Sequence, residues 1–181
     1  MLLWSVGRDA SAEGKVLQAM QARQRSDAAE MWRLAREGLA MAPEHPRLLL
    51  AAGEAAVTEG NQASTGAARF AWYIRAADHY DAAARARPFL AQALRESALA
   101  RDWSGRPAEA LPVHLRAIAR DPDQARGYEY LGLHFWRLGR SEEAERLLRL
   151  ARRFRGSMLA GEFLERIKQD RLQGVPRGET F

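Results

Sequence analysis

Apolar residues recur along this chain at spacings of three and four, and prolines and glycines interrupt them at intervals. That pattern predicts a succession of amphipathic helices, and no segment alternates as a strand would. The first predicted helix covers residues 11–25, with Ser11 as its N-cap and Val16, Leu17 and Met20 as apolar positions. A second starts in Ser26-Asp27-Ala28-Ala29-Glu30, where a side-chain oxygen can cap orphan amides and acids sit at the positive end. It ends at Ala42-Pro43, because proline cannot continue it. A third runs from Pro46 to Glu59 and is expected to stop at Gly60 as a left-handed cap. A long helix then carries Phe70, Trp72, Tyr73, Ile74 and Tyr80 as far as Arg87-Pro88. Two helix pairs follow, Pro88–Ser104 with Pro107–Arg120 and Asp123–Leu138 with Ser141–Arg155, each broken at a glycine, Gly105 or Gly139. The last helix is expected over Ser157–Arg171, and the Gly/Pro/charge-rich residues 172–181 as a disordered tail.

The two later pairs are copies of one another. Gly105 maps to Gly139, Ala110 to Ala144, Ala117 to Ala151 and Pro122 to Gly156, each displaced by the same 34 residues. A period of this length, with small residues where two helices touch and a breaker at the end, marks a helix-turn-helix repeat. One such hairpin cannot bury its apolar face alone, so stacked neighbours share a core.

The best copy reads Tyr128…Leu131-Gly132…Phe135…Gly139…Ala144…Leu148…Ala151…Gly156. This resembles the tetratricopeptide repeat in nearly every signature slot. Gly132 and Ala144 would permit close approach of the paired helices, and Tyr128 and Phe135 would fill the space toward neighbouring repeats. The preceding copy departs from the pattern: Arg101 stands where an aromatic is usual, and Ser97-Ala98 replaces Leu-Gly. The resemblance implies an all-α, right-handed superhelix of helical hairpins within one array over residues 1–171. Its repeats are expected near 11–44, 46–88, 89–122 and 123–156, with a capping helix over 157–171.

One repeat is overlong. Gly60 to Pro88 spans 28 residues where Gly105 to Pro122 spans 17. The extra eleven are almost three helical turns, so a lengthened helix keeps its core face in register. The alternatives are a tolerated surface insertion or a projecting Phe70-Ala71-Trp72-Tyr73 cluster that makes a docking or dimer contact. Pro112 falls inside a predicted helix, where a bend costing about 3 kcal/mol is expected.

Composition removes several function classes. The sequence has no cysteine, so disulfides, thiol chemistry and cysteine metal sites are out, and a cytoplasmic location is expected. No apolar run is long enough for a membrane span, and Met1–Val6 is too short for a signal peptide. The formal net charge of +5 rests on arginine, since Lys15 and Lys168 are the only lysines. The histidines, His45, His79, His114 and His134, lack the His-Glu-x-x-His spacing, and no phosphate-cradling loop or nucleophile elbow is present. The expectation is a protein that is not an enzyme, with no cofactor, no metal and no catalytic residue.

Two surfaces remain. Arg146, Arg149, Arg152, Arg153 and Arg155 form a basic cluster; with Arg146, Arg149 and Arg153 on one helix face it could meet phosphates, although Glu142, Glu143 and Glu145 sit one turn earlier. The other surface follows from the resemblance, because the first helix of each tetratricopeptide hairpin lines a concave face. The inward slots here are Glu13, Val16, Met20 and Arg23, then Arg47, Leu50 and Glu54. Gln92, Arg95, Leu99 and Asp102 come next, then Arg126, Glu129, Leu133 and Trp136. Arg47, Arg95 and Arg126 recur near the starts of successive helices, with Leu50, Leu99 and Leu133 deeper. The partner-binding set is thus expected to be Arg47, Leu50, Arg95, Leu99, Asp102, Arg126, Glu129, Leu133 and Trp136. Such a groove could hold a protein or peptide, with carboxylates on the arginines and apolar side chains between. Tetratricopeptide domains that clamp a terminal carboxylate use Lys and Asn at fixed slots; Val16, Met20, Ala51, Gln92 and Glu96 occupy them here, which argues against that subclass. The competing reading is an Arg-rich helical array that binds nucleic acid.

Overall fold

The computed structural model describes residues 2–173, with side chains from residue 10 onward. Those residues form nine α-helices and no strand, as tandem hairpins require. They divide into two compact units, Met1–Arg106 and Pro107–Phe181.

The first unit contains α1 (Leu2–Gln24), α2 (Ala28–Met41), α3 (Pro46–Gln62), α4 (Gly66–Ala86) and α5 (Ala91–Trp103). Each helix packs on the next, and α1 also touches α3. Local chemistry sets the starts. Asp27 caps α2 by accepting from the Glu30 amide at 2.9 Å, Pro46 opens α3, and Thr65 accepts from the Ala68 amide to cap α4. The interior is built on alanine, which brings backbones close at no side-chain entropy cost. Ala19, Ala22, Met31, Leu34 and Ala55 form one cluster, and Ala56, Ala76, Ala77, Tyr80 and Ala100 another, with Trp32 packed against both.

The second unit contains α6 (Pro107–Arg120), α7 (Ala125–Arg137), α8 (Ser141–Ala151) and α9 (Ala160–Gln173). Its core joins Trp136, Ala144, Leu148, Ala151, Ala160 and Ile167, with Leu133, Phe163 and Leu164 packed against it. A Cβ on Gly132 would stand 2.9 Å from Leu148 Cγ and 3.4 Å from the Ala144 carbonyl oxygen. The repeat's small pair therefore lies at the α7–α8 contact, as the pattern predicts. Gly105, Gly139 and Gly156 all take left-handed φ angles of 73–83°, which glycine adopts without Cβ strain.

Several boundaries differ from expectation. The first helix begins at Leu2, so Ser11 lies inside it rather than at its cap. Gly60 does not end α3, which runs on to Gln62. Its missing Cβ instead makes room for Tyr73, whose Cε1 would lie 2.7 Å from such an atom. The extra residues of the long repeat are absorbed as helix, chiefly in the 21-residue α4. In that helix Tyr73 is buried with its hydroxyl donating to Asn61 Oδ1 at 2.7 Å. Trp72 sits edge-on to Trp32, with centroids 5.4 Å apart. Of the proposed projecting cluster, Tyr73 is thus core and Trp72 packs against it, while Phe70 and Ala71 stay exposed. The helix α6 runs unbroken through Pro112. The helix α8 starts at Ser141, after Arg140 at its N-cap position. That helix stops at Ala151 because the chain turns so that Phe154 stacks on Tyr128 at 5.2 Å and 7°. The last helix begins at Ala160, three residues later than expected, and continues through Gln173. The remainder of the predicted tail, 174–181, lies outside the described residues.

Candidate interaction groove

The predicted inward slots of α1 and α3 meet across the first unit. Arg47 Nη1 donates to Glu13 Oε2 at 3.4 Å, Arg47 Nη2 reaches Met20 Sδ at 3.2 Å, and Arg23 Nε lies 2.6 Å from Glu54 Oε1. Between these pairs opens a cleft of about 170 Å³, lined among others by Met20, Arg23, Arg47, Leu50, Glu54 and Gln92. Met20 is 46 % exposed in it, an apolar side chain presented between opposite charges. Arg47 and Leu50 thus line the same cleft.

The α5 slots divide. Arg95 is half-buried. Leu99 and Asp102 are only 5 % and 4 % exposed, so they act as packing residues and do not present a binding surface; that part of the expected set is corrected. On the same helix, the departure from the repeat pattern has a structural purpose. Ser97 Oγ donates to Asp81 Oδ1 at 2.7 Å, and the Arg101 guanidinium pairs with both carboxylate oxygens of Asp81 on α4. A polar trio replaces the usual aromatic contact. Burial pushes the Asp81 carboxyl up, but the hydrogen bonds from Arg101 and Ser97 outweigh it and hold the group below its ordinary range. Burial likewise holds the His79 imidazole below its usual value, and the ring packs edge-on against Trp32 at 5.4 Å.

In the second unit the chain covers most of its own predicted slots. Glu129 is fully buried. Its Oε1 accepts from Ser157 Oγ and the Met158 and Leu159 amides, each at 2.9 Å, and from the Ala160 amide at 3.2 Å. A helix start leaves orphan amides and a partial positive charge. Leu159, which precedes α9, has no side-chain acceptor to offer, so Glu129 reaches across from α7 as the cap. Trp136 is 7 % exposed; its Nε1 donates to Asp170 Oδ2 at 3.2 Å, and its ring stands edge-on to Phe163 at 5.5 Å. Leu133 packs into the same core. Glu129, Leu133 and Trp136 therefore receive α9 and the turn before it, which corrects the expectation that they face a partner. Arg126 stays exposed, with Nη2 3.9 Å from Met158 Sδ.

The basic cluster is also rearranged. Arg146 and Arg149 lie on α8, whereas Arg152, Arg153 and Arg155 follow its end at Ala151, so Arg153 does not extend the Arg146–Arg149 helix face. Arg149 pairs with Glu145. The buried rings of His114 and His134 lie 5.4 Å apart. No helix among the described residues is long and apolar enough to cross a membrane.

No family model matches the sequence, and no curated protein matches it. Solved structures do resemble its fold. The thermophilic TPR protein TTC0263 of Thermus thermophilus superposes with a TM-score of 0.74 at 18 % identity, over 89 % of this chain and 81 % of that one. MamA MSR-1 C2 superposes with a TM-score of 0.56 at 15 % identity, over 82 % of this chain and 96 % of that one.

Proposed function

Given a protein with the tetratricopeptide-like helical-repeat fold, we propose that it is a non-catalytic interaction module, an adaptor or assembly factor that holds a segment of another protein. Folds of this kind generally serve protein contacts, and the first unit carries a surface suited to one. The observation behind the reading is the α1–α3 cleft, where Met20 and Leu50 lie between Arg47, Arg23 and Glu54. An apolar side chain of the partner fits on Met20 and Leu50, and its flanking carboxylates on Arg47 and Arg23. Arg95 holds the equivalent position on α5 of the same unit and belongs to the same proposal as an outlying anchor; Arg126 takes that slot on α7 and is proposed as a contact of the second unit by itself. A cytoplasmic setting is part of it.

The test is affinity capture from native lysate with the intact protein, compared with Arg47→Glu/Leu50→Asp. Both side chains touch solvent at the cleft, so circular dichroism should stay unchanged while the captured partner falls about tenfold or more. Arg146→Glu/Arg153→Glu, on α8 and just past its end, should capture as the parent does. A partner lost only with that pair, and replaced by nucleic acid in the parent eluate, would favour the nucleic-acid reading.

A further inference from the structure

A second cleft, of about 630 Å³, lies between α8 and α9 in the second unit, well within the size range of ligand-holding sites. Its floor is apolar, with Ile167 buried and Leu164 half-buried, and Leu172 adds an apolar lining side chain that is 79 % exposed. Arg149, Arg152, Lys168 and Arg171 surround that floor, against two acids, Glu145 and Glu165. Four cations and two anions leave a formal charge of +2. The acids are already engaged. Glu145 takes both Arg149 and, at 2.9 Å, Arg171, and Glu165 lies 3.7 Å from Lys168. Arg152 makes no ion pair among the described residues.

An apolar strip flanked by surplus guanidinium and ammonium groups, in the furrow between two helices, is complementary to a third helix with the opposite pattern. We propose that this cleft docks an acidic amphipathic helix of a protein partner, its leucine-like side chains on Leu164 and Leu172 and its carboxylates on Arg152, Lys168 and the outer nitrogens of Arg149 and Arg171. Arginine binds carboxylates in a two-point fork, and the helix-in-groove mode uses apolar anchors one and two turns apart, the latter the spacing of Leu164 and Leu172 on α9. Nucleic acid fits this place poorly. The lining holds no aromatic ring on which a base could stack, and Glu145 and Glu165 would face the phosphates.

The surface is distinct from the α1–α3 cleft and is tested on the full chain by fluorescence anisotropy. The probe is a labelled designed helix with leucine on one face bordered by glutamates. Its controls are the same helix with glutamine for glutamate, and a short single-stranded oligonucleotide. The acidic helix should bind at least about tenfold more tightly than the glutamine version, more weakly as salt rises, and about tenfold more weakly to Arg152→Glu/Lys168→Glu. Both substituted residues are exposed, so their variant should unfold thermally like the parent. Three results would overturn the proposal: equal affinity for the acidic and glutamine helices, preferential binding of the oligonucleotide, or loss of the acidic helix with Arg47→Glu and not with the double reversal.

Discussion

Arg101 occupies a slot where the repeat ordinarily places a ring, and it changes how α4 is fixed to α5. The Asp81 side chain is 23 % exposed and that of Arg101 14 %, so the pair is partly shielded and worth more than a surface ion pair. The folded pKa of Asp81 lies below its ordinary value of 3.8. Its contribution is therefore complete above the unfolded-state pKa and is lost as pH falls through the folded one. We predict that Asp81→Asn lowers stability at neutral pH by about 1.5–3 kcal/mol and flattens the acid limb of a stability–pH curve below about pH 4. An acid limb identical to the parent's would contradict the assignment. Glu129 presents a second residue-scale case. Glu129→Ala strips three amides, two part-buried and that of Ala160 buried, of their acceptor, for a loss of about 2–4 kcal/mol, while Glu129→Gln, which keeps a carbonyl oxygen, should lose less. Hydrogen exchange at residues 158–160 reads this directly, and those amides should be the first to lose protection in the alanine variant.

At the scale of elements, the hairpin contact rests on two small residues. Ala144 is fully buried beside Gly132, so Ala144→Arg would overpack α7 against α8 and bury a charge, with a loss above about 2 kcal/mol. An unchanged thermal midpoint would refute the repeat alignment. The last helix covers Trp136 and Leu148 with Ala160, Phe163, Leu164 and Ile167. Truncation before Ser157 should reduce solubility and stability, because it exposes that face and leaves Glu129 buried without donors. Helix identity was legible in the sequence wherever proline, glycine or a capping side chain acts locally, as at Asp27, Pro107 and Gly139. The misplaced boundaries share another cause. Gly60 stays inside the last turn of α3 because of Tyr73, α8 ends early because Phe154 meets Tyr128, and α9 starts late under a cap supplied from α7. Each is decided by a residue distant in sequence, which periodicity does not register.

Across the whole molecule, the repeat architecture was readable because one well-kept copy fixed the period, and the likeness to solved helical-repeat structures agrees with it. The interaction surface was only partly readable. The slot pattern singled out Arg47 and Leu50, and both line one open cleft beside α1. It failed for Glu129, Leu133 and Trp136 because the same slots serve the chain's own final helix, and nothing in the slot rule separates a partner from a cap. The proposed role of the first unit is tested most directly by photo-crosslinking in lysate, with a photoreactive residue in place of Met20 inside the cleft and, separately, in place of Arg36 on the exposed surface of α2. The account predicts a discrete protein adduct from position 20 that disappears with Arg47→Glu, and none from position 36. Adducts of equal yield from both positions, or none from position 20 while the partner is still captured, would contradict it.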